Sequence, residues 1–378
     1  MTNCNFLVKS MGDAVADRSD RELLGLSFSE TFTQKKLDNF LRRFDIESEK
    51  TEKILMLAYF KKLHPSAVFP EYAGPRLDGI LNYYKFANIK TLSGFSEIGK
   101  ALNAAGIPIL LFKGGAMKFL RPDLHRPMGD VDFLVPPERY EEAVAIAGKI
   151  GFKPKFEKPS PHSTDCVEEK GRAVDIHCMT LKGKEAKHSK VLDEEIFGRA
   201  KKKQAFGVDF FIPCDEDFLF LILLNLFNNI RHSESVEGRL FSIFDCKFFL
   251  ERNKEFNWNA VLSNAEKTET SYQIKLMVKF INSLTSNVFP RSLNLKMPAT
   301  DKMKRDIEGF VFEWFALKSL RKYKKTMHWK TVKDGGLKKI LVYLHAKLKL
   351  KILEALGKIP PAVSLFSNYY QKKAGKNG

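Results

Sequence analysis

Lys113-Gly114-Gly115, then Gly129-Asp130-Val131-Asp132-Phe133-Leu134-Val135, then Ala173-Val174-Asp175-Ile176-His177: the order of these three stretches decides how the chain is read. Ahead of the first lies Pro108-Ile109-Leu110-Leu111-Phe112, a compact apolar run that reads as a buried strand. Lys113-Gly114-Gly115 turns the chain, Ala116 to Leu120 reads as a short helix stopped before Pro122, and a polar loop from Arg121 to Met128 leads into a strand from Asp130 to Val135. Side chains alternate along a strand, so Val131, Phe133 and Val135 face a core while Asp130 and Asp132 project together from the opposite, solvent-reachable side. Two carboxylates held about 5 Å apart repel by roughly 3 kcal/mol at an effective dielectric near 20. A hard divalent cation converts that repulsion into ligation, and Mg²⁺ favours such oxygen donors. An ordinary polar edge strand would carry the same pair, so the pair alone does not decide.

Asp175 adds to it. It stands on a second expected strand, Arg172 to Cys178, with His177 on its face. If the two strands are neighbours, three carboxylates converge into the donor set that holds two metal ions for in-line displacement at phosphorus. Glycines after a strand let backbone N–H groups approach phosphate oxygens, and the helix start beyond them favours an anion. Lys113 and Lys118 add positive charge.

Outward from this centre the chain divides into three expected regions: a helical one over 1–90, an α/β one over 91–213 and a helical one over 214–378 with a basic tail. In the first, Phe32 to Phe44 and Thr51 to Leu63 have helical spacing, Pro65, Pro70 and Pro75 interrupt it, and separate helices are expected from Arg76 to Phe86 and from Ser93 to Ala105, the latter stopped by Gly106. In the second, Pro136-Pro137-Glu138 opens a helix over Tyr140 to Ile150. Asp165 to Glu169 and Arg172 to Cys178 pair across Lys170-Gly171, and Val208 to Ile212 is a strand that follows the basic run Lys201-Lys202-Lys203. Strands and helices in that order give an α/β fold with a mixed sheet. In the third, helices are expected over Phe218 to Ile230 with Asp215 as cap, over Gly238 to Leu250, from Trp258 onward, and over Leu337 to Leu356, where apolar and basic residues share an amphipathic pattern.

The totals agree with a folded protein of two or three domains: 378 residues, 44% hydrophobic, with 32 phenylalanines. The formal net charge is +18. From Asp301 onward there are 19 Lys/Arg against 6 Asp/Glu, a net of +13, so most of the excess sits in the last fifth of the chain. Such a field attracts nucleotides, nucleic acid or an anionic membrane face. The five cysteines include no C-x-x-C pair, which argues against a disulfide framework or a zinc site and for reduced thiols. No stretch reads as a signal peptide or a membrane span, and the expected location is cytoplasmic.

Taken together, Lys113-Gly114-Gly115, Arg126-Pro127-Met128-Gly129-Asp130-Val131-Asp132 and Val174-Asp175-Ile176-His177 resemble the nucleotidyltransferase superfamily with the polymerase-β-type fold. More narrowly they are similar to a bacterial, poorly characterised group of nucleotidyltransferases. The likeness runs from about Ile80 to Lys267 and includes His232, Arg239-Leu240, Asp245 and Asn257-Trp258. It implies an enzyme in which Asp130, Asp132 and Asp175 are the catalytic residues and ligate two Mg²⁺ ions, with Mn²⁺ as a substitute. It also implies that Lys113, Gly114, Gly115 and Arg126 bind the nucleotide, an NTP such as ATP. The acceptor is open: a small molecule, a sugar phosphate, a protein or an RNA. Two positions depart from the pattern. Gly115 stands where the superfamily often has serine, and Cys178 where the narrower group often has tryptophan.

Gly115 supports an alternative, a non-catalytic module of the same fold that binds nucleotide or nucleic acid. A second alternative adds an anionic membrane surface as partner through the helix Leu337 to Leu356, which RNA or simple packing would explain as well. Arg126 suits phosphate through its planar fork, or is a solvated loop residue. His177 could orient Asp175, or sit in the core against a carbonyl. His162, Cys166 and His232 lack zinc spacing, Arg239 and Asp245 read as a structural pair or cap, and Ser163 lacks triad partners.

Overall fold

Strands whose side chains are apolar on both faces need cover on both faces, and the centre of this fold is built from such strands. The computed structural model describes residues 18–289 apart from 29–31, 48, 50, 123–125, 158–159, 233–238, 253–255 and 286–287. The expected basic helix over 337–356 lies outside the described residues.

Among the described residues, four helices precede the first strand: α1 (Arg18–Ser27), α2 (Gln34–Leu41), α3 (Thr51–Leu63) and α4 (Ala73–Ala104). The next elements are β1 (Leu110–Leu111), α5 (Lys113–Leu120), β2 (Val131–Leu134), a 3₁₀ turn at Pro137–Arg139 and α6 (Tyr140–Lys149). They are followed by β3 (Lys153–Pro154), β4 (Ser163–Val167), β5 (Ala173–His177), a second 3₁₀ segment at Gly183–His188 and α7 (Ser189–Arg199). A hairpin of β6 (Lys201–Ala205) and β7 (Val208–Ile212) closes the sheet. The helices α8 (Asp215–His232), α9 (Arg239–Arg252), α10 (Trp258–Lys267) and α11 (Ser271–Leu284) then pack together, with α8 touching each of the other three.

The seven strands form one mixed sheet in the order β3-β4-β5-β2-β1-β7-β6. β2 and β5 are parallel neighbours in the register Val131↔Val174, Asp132↔Asp175, Phe133↔Ile176 and Leu134↔His177. β4 runs antiparallel to β5 with Asp165 opposite Asp175, and β1 runs antiparallel to β2 and parallel to β7. One face of the sheet is covered by α4, whose Phe95 ring lies 5.9 Å from both Phe133 and Phe210. That approach needs Gly99. A Cβ there would stand 2.6 Å from Val208 Cγ1, inside contact distance.

The expected break between helices at 86 and 93 is absent. α4 is one helix of 32 residues, and residues 90 and 91, the expected junction of two regions, lie within it. The residues that look like a polar interruption are buried and used: Asn88 Nδ2 donates to Arg126 O (2.9 Å), and Thr91 Oγ1 donates to Ala87 O (3.2 Å) and Met128 O (3.4 Å). Gly106 ends the helix segment with φ +68°, as a C-terminal stop requires. The basic run Lys201-Lys202-Lys203 is itself an edge strand, paired with β7 through a tight turn in which Phe206 and Gly207 both take positive φ. No described helix is long and apolar enough to cross a membrane.

Candidate active site

The parallel register of β2 and β5 sets Asp132 and Asp175 side by side on the face opposite α4. They are 7% and 8% exposed, and His177, two residues beyond Asp175, is 1% exposed. One ligating atom from each of Asp132, Asp175 and His177 lies within 4.8 Å of the others. His177 Nε2 is 2.7 Å from Asp175 Oδ2 and 3.2 Å from Asp132 Oδ1. Facing two carboxylates, Nε2 acts as the donor, which assigns the proton to that nitrogen, while Nδ1 is buried without a partner. The histidine therefore serves the acidic pair and is not a core residue bonded to a carbonyl.

Asp132 also carries the ammonium of Lys113 on Oδ1. Burial alone would raise the Asp132 carboxyl, but Lys113 and the His177 hydrogen bond outweigh it and hold it well below the usual range. Lys113 is raised in turn, because Asp132 outweighs the burial of its ammonium. In Asp175, burial pushes upward and the His177 hydrogen bond downward, with a net lowering. Its Oδ1 is buried with no hydrogen-bond partner. Asp132 is thus more enclosed than the alternation of β2 suggests.

Asp130 lies just before β2, half-exposed, and is not one of the three groups gathered within 4.8 Å. Burial, and then the charge of Asp132, push its carboxyl up to about 7. A fourth carboxylate, Asp165, sits across from Asp175 on β4, raised by burial and by Asp175. Sequence reading passes over it, although its place two residues into β4 and the expected β4–β5 pairing put it within reach. Lys182 and His162 border the same face. The Lys182 ammonium is lowered by burial and then by Lys113, and the His162 ring, 5.9 Å from that of His177, is lowered to about 4 by burial and then by Lys182.

On the far side of Asp132 the chain passes from β1 to α5 in a single step. Lys113 makes the turn itself with φ +49°, a left-handed conformation uncommon for a residue with a side chain. Gly114 and Gly115, expected to form the turn, instead lie buried in the first helical turn. Their small size has a packing cause. A Cβ on Gly115 would stand 3.1 Å from Val131 Cγ1, and one on Gly114 would stand 3.1 Å from Arg126 Nη1. A serine at 115 would therefore need Val131 to give by a few tenths of an ångström. Phe112, at the cap position of α5, makes no side-chain cap, so the first N–H groups of the helix keep their capacity for an anion.

Arg126 lies over Gly114 and pairs with Asp245 of α9, Nη1 to Oδ2, at 3.2 Å. Asp245 was expected to pair with Arg239 or cap a helix, and its described partner is Arg126. The side chains of His232 and Arg239 lie outside those described. Lys113, Gly114 and Arg126 thus flank Asp132 on one side, and Asp165 flanks Asp175 on the other.

The fold can be set beside known structures. The antibiotic-resistance factor ANT(2")-Ia, solved with adenylyl-2"-tobramycin, is 16% identical over 53% of this chain and 98% of that one, with a TM-score of 0.29. A nucleotidyltransferase-like antigen from Paracoccidioides brasiliensis is 14% identical over 48% and 90%, with a TM-score of 0.30. The CCA-adding enzyme of Thermotoga maritima, solved with tRNA, is 14% identical over 53% and 51%, with a TM-score of 0.24. Likenesses this loose assign nothing to individual residues. No curated protein sequence matches the chain. A family model described as "Uncharacterised nucleotidyltransferase" matches residues 51–286, a wider span than the 80–267 expected from the motifs, and the chain belongs to that family of transferases.

Proposed function

We propose that the protein transfers an NMP group from an NTP to an acceptor hydroxyl or phosphate oxygen with Mg²⁺, through a catalytic region over 91–213. The carrying observation is the in-register meeting of Asp132 and Asp175 beside the glycine-opened start of α5. The site fits a divalent ion: two buried carboxylates stand side by side, and Asp175 Oδ1 has no hydrogen-bond partner. Asp130, Asp132 and Asp175 would hold Mg²⁺, two ions in this reading. When bound, such ions neutralise triphosphate charge and lower the pKa of an attacking hydroxyl.

The chain's own groups do the rest. His177 donates to Asp132 from Nε2, which also stands 2.7 Å from Asp175 Oδ2, and so holds the two carboxylates in place. The first N–H groups of α5, with Lys113 and Arg126, would receive the triphosphate. The acceptor oxygen, its hydroxyl proton passing to Asp175, bonds to the α-phosphorus as the bond to the bridging oxygen breaks, and pyrophosphate leaves with that electron pair. In-line geometry requires the acceptor to enter opposite the leaving group. With the phosphates at α5, that entry is the β4 side, where Asp165 stands.

Asp130→Asn and Asp175→Asn test the reading. Each should abolish Mg²⁺-dependent pyrophosphate release from NTP in the presence of an acceptor panel of small molecules, sugar phosphates, proteins and RNA, with an unchanged circular dichroism spectrum. Unchanged turnover in either variant would remove the mechanism.

A further inference from the structure

Helix α9 lies in the helical layer that follows the sheet, yet it sends a buried carboxylate to the phosphate side of the site. Asp245 is 4% exposed, and its Oδ2 receives Arg126 Nη1 at 3.2 Å. The backbone around Arg126 is pinned from the other direction by α4, through Asn88 to Arg126 O and Thr91 to Met128 O. With the backbone fixed, the direction of the guanidinium depends on what it pairs with. Gly114 forms its floor, where a Cβ would stand 3.1 Å from Nη1 and press the guanidinium aside by a few tenths of an ångström.

The pair is poorly made as a structural bridge. Arginine and carboxylate can join through two parallel bonds, but here Arg126 Nε and Asp245 Oδ1 are both buried with no partner. A buried ion pair left half satisfied contributes little to stability, and a well-packed apolar pair would do better. Burial raises the Asp245 carboxyl to about 6 even with Arg126 opposing it. What the arrangement does provide is aim.

We infer that Asp245 is a positioning residue for nucleotide binding, holding the Arg126 guanidinium over the first turn of α5 so that α9 completes the triphosphate site. This rests on the nucleotidyltransferase reading above. It gives a residue of the helical layer a part in the reaction without contact to substrate.

Calorimetric titration of the full chain with Mg²⁺ and the α,β-methylene analogues of the four NTPs tests it. Asp245→Asn should weaken binding of the preferred analogue at least tenfold while leaving the affinity for Mn²⁺ alone unchanged. Arg126→Gln should weaken it at least as much, and adding Asp245→Asn to Arg126→Gln should cause no further loss. A lower melting temperature in Asp245→Asn with wild-type nucleotide affinity would mean a structural role only and would overturn the inference. Should that variant not fold, the apolar pair Arg126→Met with Asp245→Leu replaces it. That pair should fold and bind the analogue weakly, and wild-type affinity there would also overturn the inference. Absence of binding to any analogue by the wild-type chain would sink the nucleotidyltransferase reading itself, and this inference with it.

Discussion

Gly99 lets α4 lie close enough to the sheet to pin the loop that carries Arg126, and that closeness can be measured. Gly99→Ala adds one methyl whose carbon would stand 2.6 Å from Cγ1 and 2.9 Å from Cγ2 of Val208, a residue with no exposed surface. Overpacking of this kind costs about 1–3 kcal/mol. Alanine in a helix interior gains about 1 kcal/mol over glycine. The steric term wins, and a net loss of about 1 kcal/mol is expected. Val208→Ala alone should cost about 2 kcal/mol, from lost burial and the space left behind. In that background the added methyl has somewhere to go, so Gly99→Ala should become stabilising by about 1–2 kcal/mol. The sign reversal, a coupling of roughly 2 kcal/mol or more, is read by urea unfolding of the two single variants, the double variant and the wild type. Additive effects, with Gly99→Ala acting equally in both backgrounds, would refute the close approach of α4 to β7.

Two further outcomes follow from buried polar groups. Asp193 of α7, which accepts from Thr180 N at 3.2 Å, is pushed from 3.8 up to about 6, chiefly by burial. Because the folded value exceeds the unfolded one, its contribution is full below about pH 4 and is lost as pH rises through about 6. Two units amount to about 3 kcal/mol. The stability difference between wild type and Asp193→Asn should fall by about that much between pH 4 and pH 7 in denaturant titrations, and parallel curves would contradict it. His177→Leu removes the donor to Asp132, which also stands against Asp175, and should lower stability by about 2–4 kcal/mol, with His177→Gln recovering part of the loss. Thermal unfolding of the two variants checks this, and equal melting temperatures for His177→Leu and wild type would contradict the bridging geometry.

The acidic face was legible because its signal is local. Apolar residues on either side of Asp132 and Asp175 fix which way each carboxylate turns, and strand pairing then brings them together. Partners supplied from a distance left no such signal. Arg126 and Asp245 meet only because α9 packs back toward the sheet, and no spacing in the sequence encodes that return. Lys201 to Lys203 hid a strand because its alternation is nearly all polar, and the ladder to β7 supplies what side-chain burial does not. Asn88 and Thr91 fall between the two helices expected over Arg76 to Phe86 and Ser93 to Ala105, and hydroxyl and amide groups compete with the backbone in isolation. Their hydrogen bonds to the 126–128 loop remove that competition.

The matched rungs of β2 and β5 also limit how such a protein can diverge. The loops that flank the two strands lie outside the paired segments and can change length more freely. A single residue inserted or deleted within Val131–Leu134 or Ala173–His177 would turn an oxygen donor toward hydrocarbon and a hydrocarbon toward the donors. Variation among related chains should therefore accumulate as loop length, with the two short strands conserved in frame.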